Sequence, residues 1–374
     1  MPAGRTLTAS EREWLRVRSY LQEHRHGLAV KAAEEYPRDR RIAGTPLLGA
    51  AQWTPAAPIP LRSIDLTFRP ANVDHLAAGA YVRQAAELLP EREDGTRYLR
   101  YSDVVKELAS PTVFENRPTY RLAGVDLRSA RPHMTFGRGW YFDSIDVGEA
   151  AAYEYVRVRL GGRAAGLRTL AADPWDVDGR PANLAITTMT VRQDRDSGTA
   201  SFLLHWRDPA KVGHAGGLYQ VVPVGIFQPS GEAAWNEQND FSLWRCMLRE
   251  FAEELCGHSE DYGSEEHPID YASWPFARRL TSELDGGQVR AWCLGLGTDP
   301  LTYATDLLTV VVIDSTVFDE LFSASPQANA EGQVLAAQEF DAKVIDRVTT
   351  REPIQAAGAA VLRLAWRHRR QLLT

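Results

Sequence analysis

The chain has 374 residues, of which 44% are hydrophobic and 24% are charged, as in an ordinary folded protein. This composition excludes a largely disordered chain and a collagen-like repeat, and the sequence has no apolar run of about 18 residues that predicts a membrane span. The net charge of −7 argues against nucleic acid as a general partner.

The first half of the chain is predicted to mix helices and strands. Apolar residues recur at helical spacing over residues 8–36, with Thr8 or Ser10 as the N-cap. Gly27 is a candidate break that divides this stretch into two short helices. Further helices are expected at 72–89, 101–109 and 147–159, and strands at 120–127, 133–136 and 140–142.

Residues 161–183 have little periodicity and mark a predicted boundary between residues 1–180 and residues 181–374. In the second part, two alternating segments flank residues 194–198, which is typical of a hairpin. Strands are expected at 185–192, 200–207, 218–222, 288–296 and 307–313, and helices at 240–256, 316–322 and 353–372. Strands interleaved with helices predict an α+β protein whose second part is an α/β sandwich.

The helix predicted at 240–256 has two unlike faces. One face is apolar and contains Leu243, Trp244, Met247, Leu248, Phe251 and Leu255. Glu250, Glu253 and Glu254 cluster on another face, within about 100° of the helical wheel. Three neighbouring carboxylates repel one another, and a hard cation such as Mg²⁺ with oxygen ligands relieves that repulsion. A solvated acidic face is the alternative, and the helical pattern alone favours it.

The same helix contains the run Arg249-Glu250-Phe251-Ala252-Glu253-Glu254, which resembles the REUxEE core of the Nudix hydrolase family, where U is a bulky apolar residue. Upstream, residues 223–232 resemble the glycine-rich strand and loop that precede this helix in the family. The resemblance covers about residues 180–350. It implies that a Nudix-like α/β/α sandwich follows the N-terminal mixed α/β region.

The chain departs from the family pattern G-x5-E-x7-REUxEE-x-G-U at two spacings. Six residues separate Gly225 from Glu232, and sixteen separate Glu232 from Arg249. Residues 233–240 therefore look like an insertion, which we expect to form a surface loop with Asp240 or Ser242 as the N-cap of the helix. Cys256 stands where the family has its closing glycine. The carboxylates of the helix are all present.

The resemblance implies hydrolysis of a nucleoside diphosphate linked to another moiety, with Mg²⁺ or Mn²⁺ as the cofactor. Glu250, Glu253 and Glu254 are then metal ligands, with Glu232 as an outer ligand. Glu253 or Glu254, or a base from another loop, accepts the proton of the attacking water. Arg249 orients a glutamate through a charge-assisted hydrogen bond. Two alternatives stay open: a Nudix-like sensor that binds a ligand without hydrolysis, and a structural protein whose acidic helix faces solvent.

The remaining features bear on location and partners. The first residues show no apolar leader, and the three cysteines have no CxxC spacing, so a cytoplasmic protein with free thiols is expected. The predicted partner is a small nucleotide-like molecule, with no membrane contact, and a homodimer stays open. His205, His214, His258 and His267, which lie in or near the Nudix-like part, have no metal-ligand spacing. They are interpreted as surface or internally bonded residues.

Overall fold

The computed structural model describes residues 6–70, 75–111, 114–207, 217–322, 332–335 and 337–374. These residues form an α+β fold, as predicted. The α-helices are Ala9–Ala33, His75–Ala85, Tyr101–Leu108, Tyr141–Ser144, Ala150–Arg159, Leu167–Ala171, Ala234–Asn239, Leu243–Glu250, Pro275–Gly286, Ser315–Phe322, Ala342–Arg351, Ala356–Arg367 and Arg369–Leu372. The strands are Ile59–Pro60, Asp65–Phe68, Pro118–Asp126, His133–Trp140, Leu184–Asp194, Thr199–Phe202, Leu204–Arg207, Tyr219–Val221, Val224–Ile226, Val289–Thr298, Thr305–Asp314, Gly332–Val334 and Gln338–Glu339.

The first helix, Ala9–Ala33, begins with a reciprocal cap. The Glu11 amide donates to the Thr8 hydroxyl at 3.0 Å, and the Thr8 amide donates to the Glu11 carboxylate at 2.9 Å. The helix runs without interruption through Gly27, so the predicted break there is wrong. A mid-helix glycine costs only about 1 kcal/mol, and burial of the apolar stripe of this helix outweighs that cost.

The segment around residue 140 differs from the prediction of a separate strand at 140–142. His133–Trp140 is one strand, and a helix begins at Tyr141. The Asp143 carboxylate accepts the Trp140 amide at 3.0 Å and so supports the start of this helix. The helix continues through a π-helical turn, Ile145–Glu149, into the predicted helix that ends at Arg159.

A mixed sheet of seven strands forms the centre of the fold. Thr305–Asp314 pairs in parallel with Leu184–Asp194, and the other pairings are antiparallel. The strand order is Ile59–Pro60, Val289–Thr298, Thr305–Asp314, Leu184–Asp194, Thr199–Phe202 and Gln338–Glu339. The short strand Val224–Ile226 pairs with the first half of Leu184–Asp194 and thereby brings the loop before residue 240 to the sheet.

Helices cover both faces of this central sheet. Side chains of a strand point alternately to its two faces, and Thr305–Asp314 follows this rule. Those on one face share a core with the helix Leu243–Glu250: Leu307, Val311 and Ile313. Those on the other face share a core with the helix Ala356–Arg367: Leu308, Val310 and Val312. The central sheet is therefore the middle layer between the two helices.

The N-terminal region adds a second sheet and a helical cluster. The strands Asp65–Phe68, His133–Trp140 and Pro118–Asp126 form a three-stranded sheet whose Leu122 amide donates to the Ala182 carbonyl at 2.8 Å. Buried side chains from both sides of residue 180 belong to one core. The boundary between residues 1–180 and 181–374 stays a prediction. Two parts divided there share one apolar core, because side chains from both parts pack together in it.

Several elements were not predicted from the sequence, among them the helices Pro275–Gly286 and Ala342–Arg351. The start of the helix predicted at 72–89 lies outside the described residues, which show a helix from His75 to Ala85. Among the helices of the described segments, none combines the length and apolar character needed to cross a bilayer.

Candidate functional site

The glutamates of the motif lie on the helix Leu243–Glu250 and on the π-helical turn that continues it, Phe251–Leu255. We call the two together the motif helix. The Ser242 hydroxyl caps its start and accepts the Arg245 amide at 3.4 Å. All six predicted apolar residues of this helix are buried, and Phe251 is 0% exposed. The predicted amphipathic helix and its packing against the sheet are therefore confirmed.

Glu250 and Glu254 both contact the strand Val224–Ile226. The Val224 amide donates to Glu254 Oε1 at 2.7 Å. At the next residue, a Cβ atom added to Gly225 lies only 1.8 Å from the Glu250 carboxyl carbon. A side chain at residue 225 would therefore displace that carboxylate from its observed position. The two carboxylates are thus held beside consecutive residues of one strand.

Glu253 lies on the side of the motif helix that contacts Tyr262. The Tyr262 hydroxyl donates to Glu253 Oε1 at 2.7 Å. Burial, followed by the negative charge of Glu253 and a smaller contribution from Glu250, raises the pKa of the Tyr262 hydroxyl. Tyr262 therefore stays a neutral donor to Glu253. The negative charges of Glu253 and Glu250 both help to keep its hydroxyl protonated.

His205 approaches the same carboxylates from the strand Leu204–Arg207. It is 1% exposed, and its Nδ1 lies 3.5 Å from Glu254 Oε2. His205 is therefore a buried histidine beside a carboxylate rather than a surface residue. His258 and His267 are exposed, and His214 lies outside the described residues. A buried imidazole beside Glu254 gives that carboxylate a second polar neighbour besides the Val224 amide.

Arg249 connects the motif helix to the loop that precedes it. Its guanidinium donates to the Gln228 carbonyl and the Tyr271 hydroxyl, both at 2.6 Å, and lies 3.5 Å from Asp240 Oδ1. Burial lowers the pKa of Arg249, but Tyr271, Cys246 and Asp240 outweigh burial and raise it, so the residue stays charged. These contacts, rather than the predicted bond to a motif glutamate, describe what Arg249 does in the structure.

The insertion at 233–240 lies at the surface, where Trp235 and Gln238 are exposed, but it is not the loop that was predicted. It contains the short helix Ala234–Asn239, and both Asn236 and Asp240 are 0% exposed. The Asn236 side-chain amide donates to the Ser264 carbonyl at 2.8 Å, and Asp240 Oδ1 accepts the Tyr271 hydroxyl at 2.8 Å. Asp240 therefore serves as a partner of Tyr271 and Arg249, while the N-cap role belongs to Ser242.

Glu232, the predicted outer ligand, is exposed at the start of this insertion. Its backbone amide donates to the Glu265 carboxylate, so this part of the chain lies against residues 264–265. The structure brings Glu250 and Glu254 together at one strand, with Glu253 on the Tyr262 side. It places the Glu232 backbone against a different segment.

Within the described ranges, no group of three or more His, Cys, Asp or Glu side chains is arranged to hold a metal ion. The assignment of Glu250, Glu253, Glu254 and Glu232 as ligands therefore stays a prediction. The donors themselves suit a hard divalent cation, because carboxylate oxygens are the ligands that Mg²⁺ prefers.

No protein-family model matches the chain, and a search of curated proteins finds no match either. The family resemblance therefore depends on the motif residues alone. The sequence did not identify Tyr262 or Tyr271 as neighbours of the motif, or Asp240 as a partner of Arg249. No local pattern marks these contacts, because they join side chains that meet only in the folded chain.

Proposed function

We propose that this protein is a hydrolase of the Nudix type that cleaves a nucleoside diphosphate linked to another moiety, with Mg²⁺ or Mn²⁺ as its cofactor. One observation supports the proposal above the others: the carboxylates of Glu250 and Glu254 are held beside consecutive residues of one strand, Val224 and Gly225. A solvated acidic face has no reason to exclude a side chain at residue 225, whereas a carboxylate that must occupy a defined position does.

In this proposal, Glu250, Glu253 and Glu254 hold the cation through their carboxylate oxygens. The bound cation neutralises charge on the phosphate groups and lowers the pKa of water. Val224 orients Glu254 through its amide, and Tyr262 orients Glu253 through its hydroxyl. Glu253, which is half-buried, is the proton acceptor that we favour, because Glu254 is almost entirely buried.

Arg249 supports the site indirectly in this proposal. Through Gln228 and Tyr271 it fixes the loop after the strand Val224–Ile226. A cytoplasmic location, which we also propose, suits a nucleotide substrate. It also suits the three free cysteines, Cys246, Cys256 and Cys293, in a reducing compartment.

The test is release of phosphate-containing products from a panel of nucleoside diphosphate derivatives incubated with the protein and Mg²⁺. In the variant Glu253→Gln, the amide oxygen still accepts the Tyr262 hydroxyl, so folding is preserved while one negative charge is lost. We expect turnover to fall about 10²-fold or more, as when a general base or a metal ligand is removed.

Glu266→Gln is the matched control, since it removes the same charge from an exposed position in the same acidic segment. It should leave turnover unchanged. Saturable, Mg²⁺-dependent nucleotide binding without turnover would instead favour the sensor. If the protein neither bound nor hydrolysed any nucleotide of the panel, that result would favour the structural protein.

A further inference from the structure

An open cleft of about 550 Å³ lies beside the first turns of the motif helix. The helix Pro275–Gly286 and the segment around Arg62 form its other walls. Its polar lining includes Arg62, Ser242, Arg245, Tyr271, Arg278 and Thr281. The volume is within the range of about 300–1,000 Å³ that small-molecule sites occupy.

The charge of this cleft is opposite to that of the chain. Three arginines line it, Arg62, Arg245 and Arg278, against one acidic residue, Asp285. Arg62 forms an ion pair with Asp285, so the two other guanidinium groups give the cleft a positive charge. Because the whole chain has a net charge of −7, this cleft is a local exception that favours an anionic ligand.

Arg278 differs from its neighbour Arg279 in its partners. Arg279 pairs with Glu283 at 2.8 Å and with Glu320 at 2.9 Å. The exposed guanidinium of Arg278 forms no hydrogen bond or ion pair with any residue in the described part of the chain. Its donors are therefore available to a ligand in the cleft.

Arg245 lines the cleft from the motif helix and is held in place there. Its guanidinium donates to the Asn239 carbonyl and lies 4.9 Å from the centre of the Tyr271 ring. On the helix Pro275–Gly286, the Thr281 hydroxyl accepts the Trp244 indole N–H at 2.9 Å and keeps its own hydrogen for a ligand. Fixed donors bind an anion more tightly than mobile ones, because less conformational entropy is lost.

This cleft is separate from the motif carboxylates. Glu250, Glu253 and Glu254 are not among its lining residues, whereas Trp244, Arg245 and Leu248 of the same helix are. Glu250 follows Leu248 by two residues and therefore points about 200° away from it around the helix axis. Tyr271 is the connection between the two sites, since its ring lines the cleft and its hydroxyl binds Arg249.

We propose that the cleft binds a small phosphorylated molecule through Arg245 and Arg278, at a site distinct from the motif glutamates. Guanidinium groups suit phosphate, because their paired N–H donors match two of its oxygens. The hydroxyls of Thr281 and Ser282 add neutral donors at the wall. The inference does not depend on the proposed hydrolysis.

The experiment measures binding of inorganic pyrophosphate and tripolyphosphate by titration calorimetry in buffer with a chelator, so that no metal contributes at the carboxylates. The intact protein should bind a tripolyphosphate ion with saturation. Arg278→Gln should weaken that affinity about tenfold, the effect of losing one charge-assisted hydrogen bond. Arg279→Gln, which removes the same charge from the next residue, should leave the affinity unchanged.

Equal weakening by Arg278→Gln and Arg279→Gln would overturn the proposal, since it would indicate only general attraction to positive charge. Absence of saturable binding to the intact protein would overturn it as well. A third outcome is tighter binding of a single-stranded oligonucleotide than of tripolyphosphate at the same salt concentration. That result would identify nucleic acid as the ligand and overturn the proposal of a small ligand.

Discussion

The carboxylate of Glu250 occupies the space that a side chain at Gly225 would need. The distance from an added Cβ atom to the Glu250 carboxyl carbon is 1.8 Å, far below any van der Waals contact. Gly225 belongs to the strand Val224–Ile226, and Glu250 is the last residue of the helix Leu243–Glu250. The glycine and the glutamate of the motif are therefore linked by direct contact, although 24 residues lie between them in the sequence.

Gly225→Ala should displace the Glu250 carboxylate while keeping the fold. The end of a glutamate side chain can rotate away, so we expect the free energy of unfolding to fall by about 1–3 kcal/mol at most. Under the proposed function, Mg²⁺-dependent turnover should fall about 10²-fold, as for loss of Glu250 itself. Denaturant unfolding and turnover together measure the two effects.

Gly124→Ala is the control for this substitution. Gly124 also lies in a strand, but the nearest atom to its added Cβ is Thr135 Cβ at 3.8 Å, an ordinary contact. Neither stability nor turnover should change much there. Unaltered turnover in Gly225→Ala would show that the position of Glu250 does not matter for the activity.

Glu149→Gln should be strongly destabilising. The Glu149 carboxylate accepts two hydrogen bonds from Arg25, at 2.9 and 2.8 Å, and lies 3.7 Å from Arg18. All three side chains are almost fully buried. Removing the negative charge takes the shared carboxylate partner away from two buried guanidinium groups, at a cost of about 3–5 kcal/mol. The free energy of unfolding, measured in urea, checks this value.

The matched control is Glu13→Gln, at an exposed pair. Glu13 accepts from Arg16 at 2.7 Å in a water-exposed position of the first helix. Such a pair contributes little to the free energy of unfolding, because solvent screens it. Similar losses of stability at Glu149 and Glu13 would contradict the importance assigned to burial.

Asp306 should make the stability of the protein depend on pH. Burial, with a contribution from the charge of Asp299, raises its pKa to about 7, even though the Thr187 hydroxyl donates to it at 2.7 Å. An unfolded aspartate has a pKa of about 3.9. The folded state therefore binds more protons between pH 4 and 7, and the free energy of unfolding falls as the pH rises through that window.

Asp306→Asn should remove this dependence. The amide oxygen still accepts from Thr187, and the side chain is neutral at every pH. We expect the variant to be more stable than the original protein at pH 8, by up to about 4 kcal/mol, and equally stable at pH 4. Urea unfolding at pH 4, 6 and 8 measures the difference. A constant difference at all three values would contradict the raised pKa.

Much of the fold can be read from local patterns. The spacing of Trp244, Leu248 and Phe251 predicted a buried helical stripe, and all three side chains are buried. Thr8 was one of two predicted N-cap residues of the first helix, with Ser10, and the structure selects Thr8. These features depend on residues only a few positions apart, so a short stretch of sequence contains the information.

The tertiary structure decided the contacts between distant segments. The bonds from Arg249 to Gln228 and Tyr271, the burial of Asp240 and the position of His205 beside Glu254 have no local signal. The cleft lined by Arg62, Arg245 and Arg278 also has no local signal in the sequence, because its walls come from separate parts of the chain.

The physical reason is the difference between periodicity and packing. A period of 3.6 or 2 residues shows which face of one element is apolar, and the burial of that face follows from the hydrophobic effect. Which elements then meet depends on the packing of the whole chain. The sequence therefore determined which residues belong to the motif helix and which of its faces is buried. Only the tertiary structure decided that Gly225, Tyr262 and Tyr271 surround it.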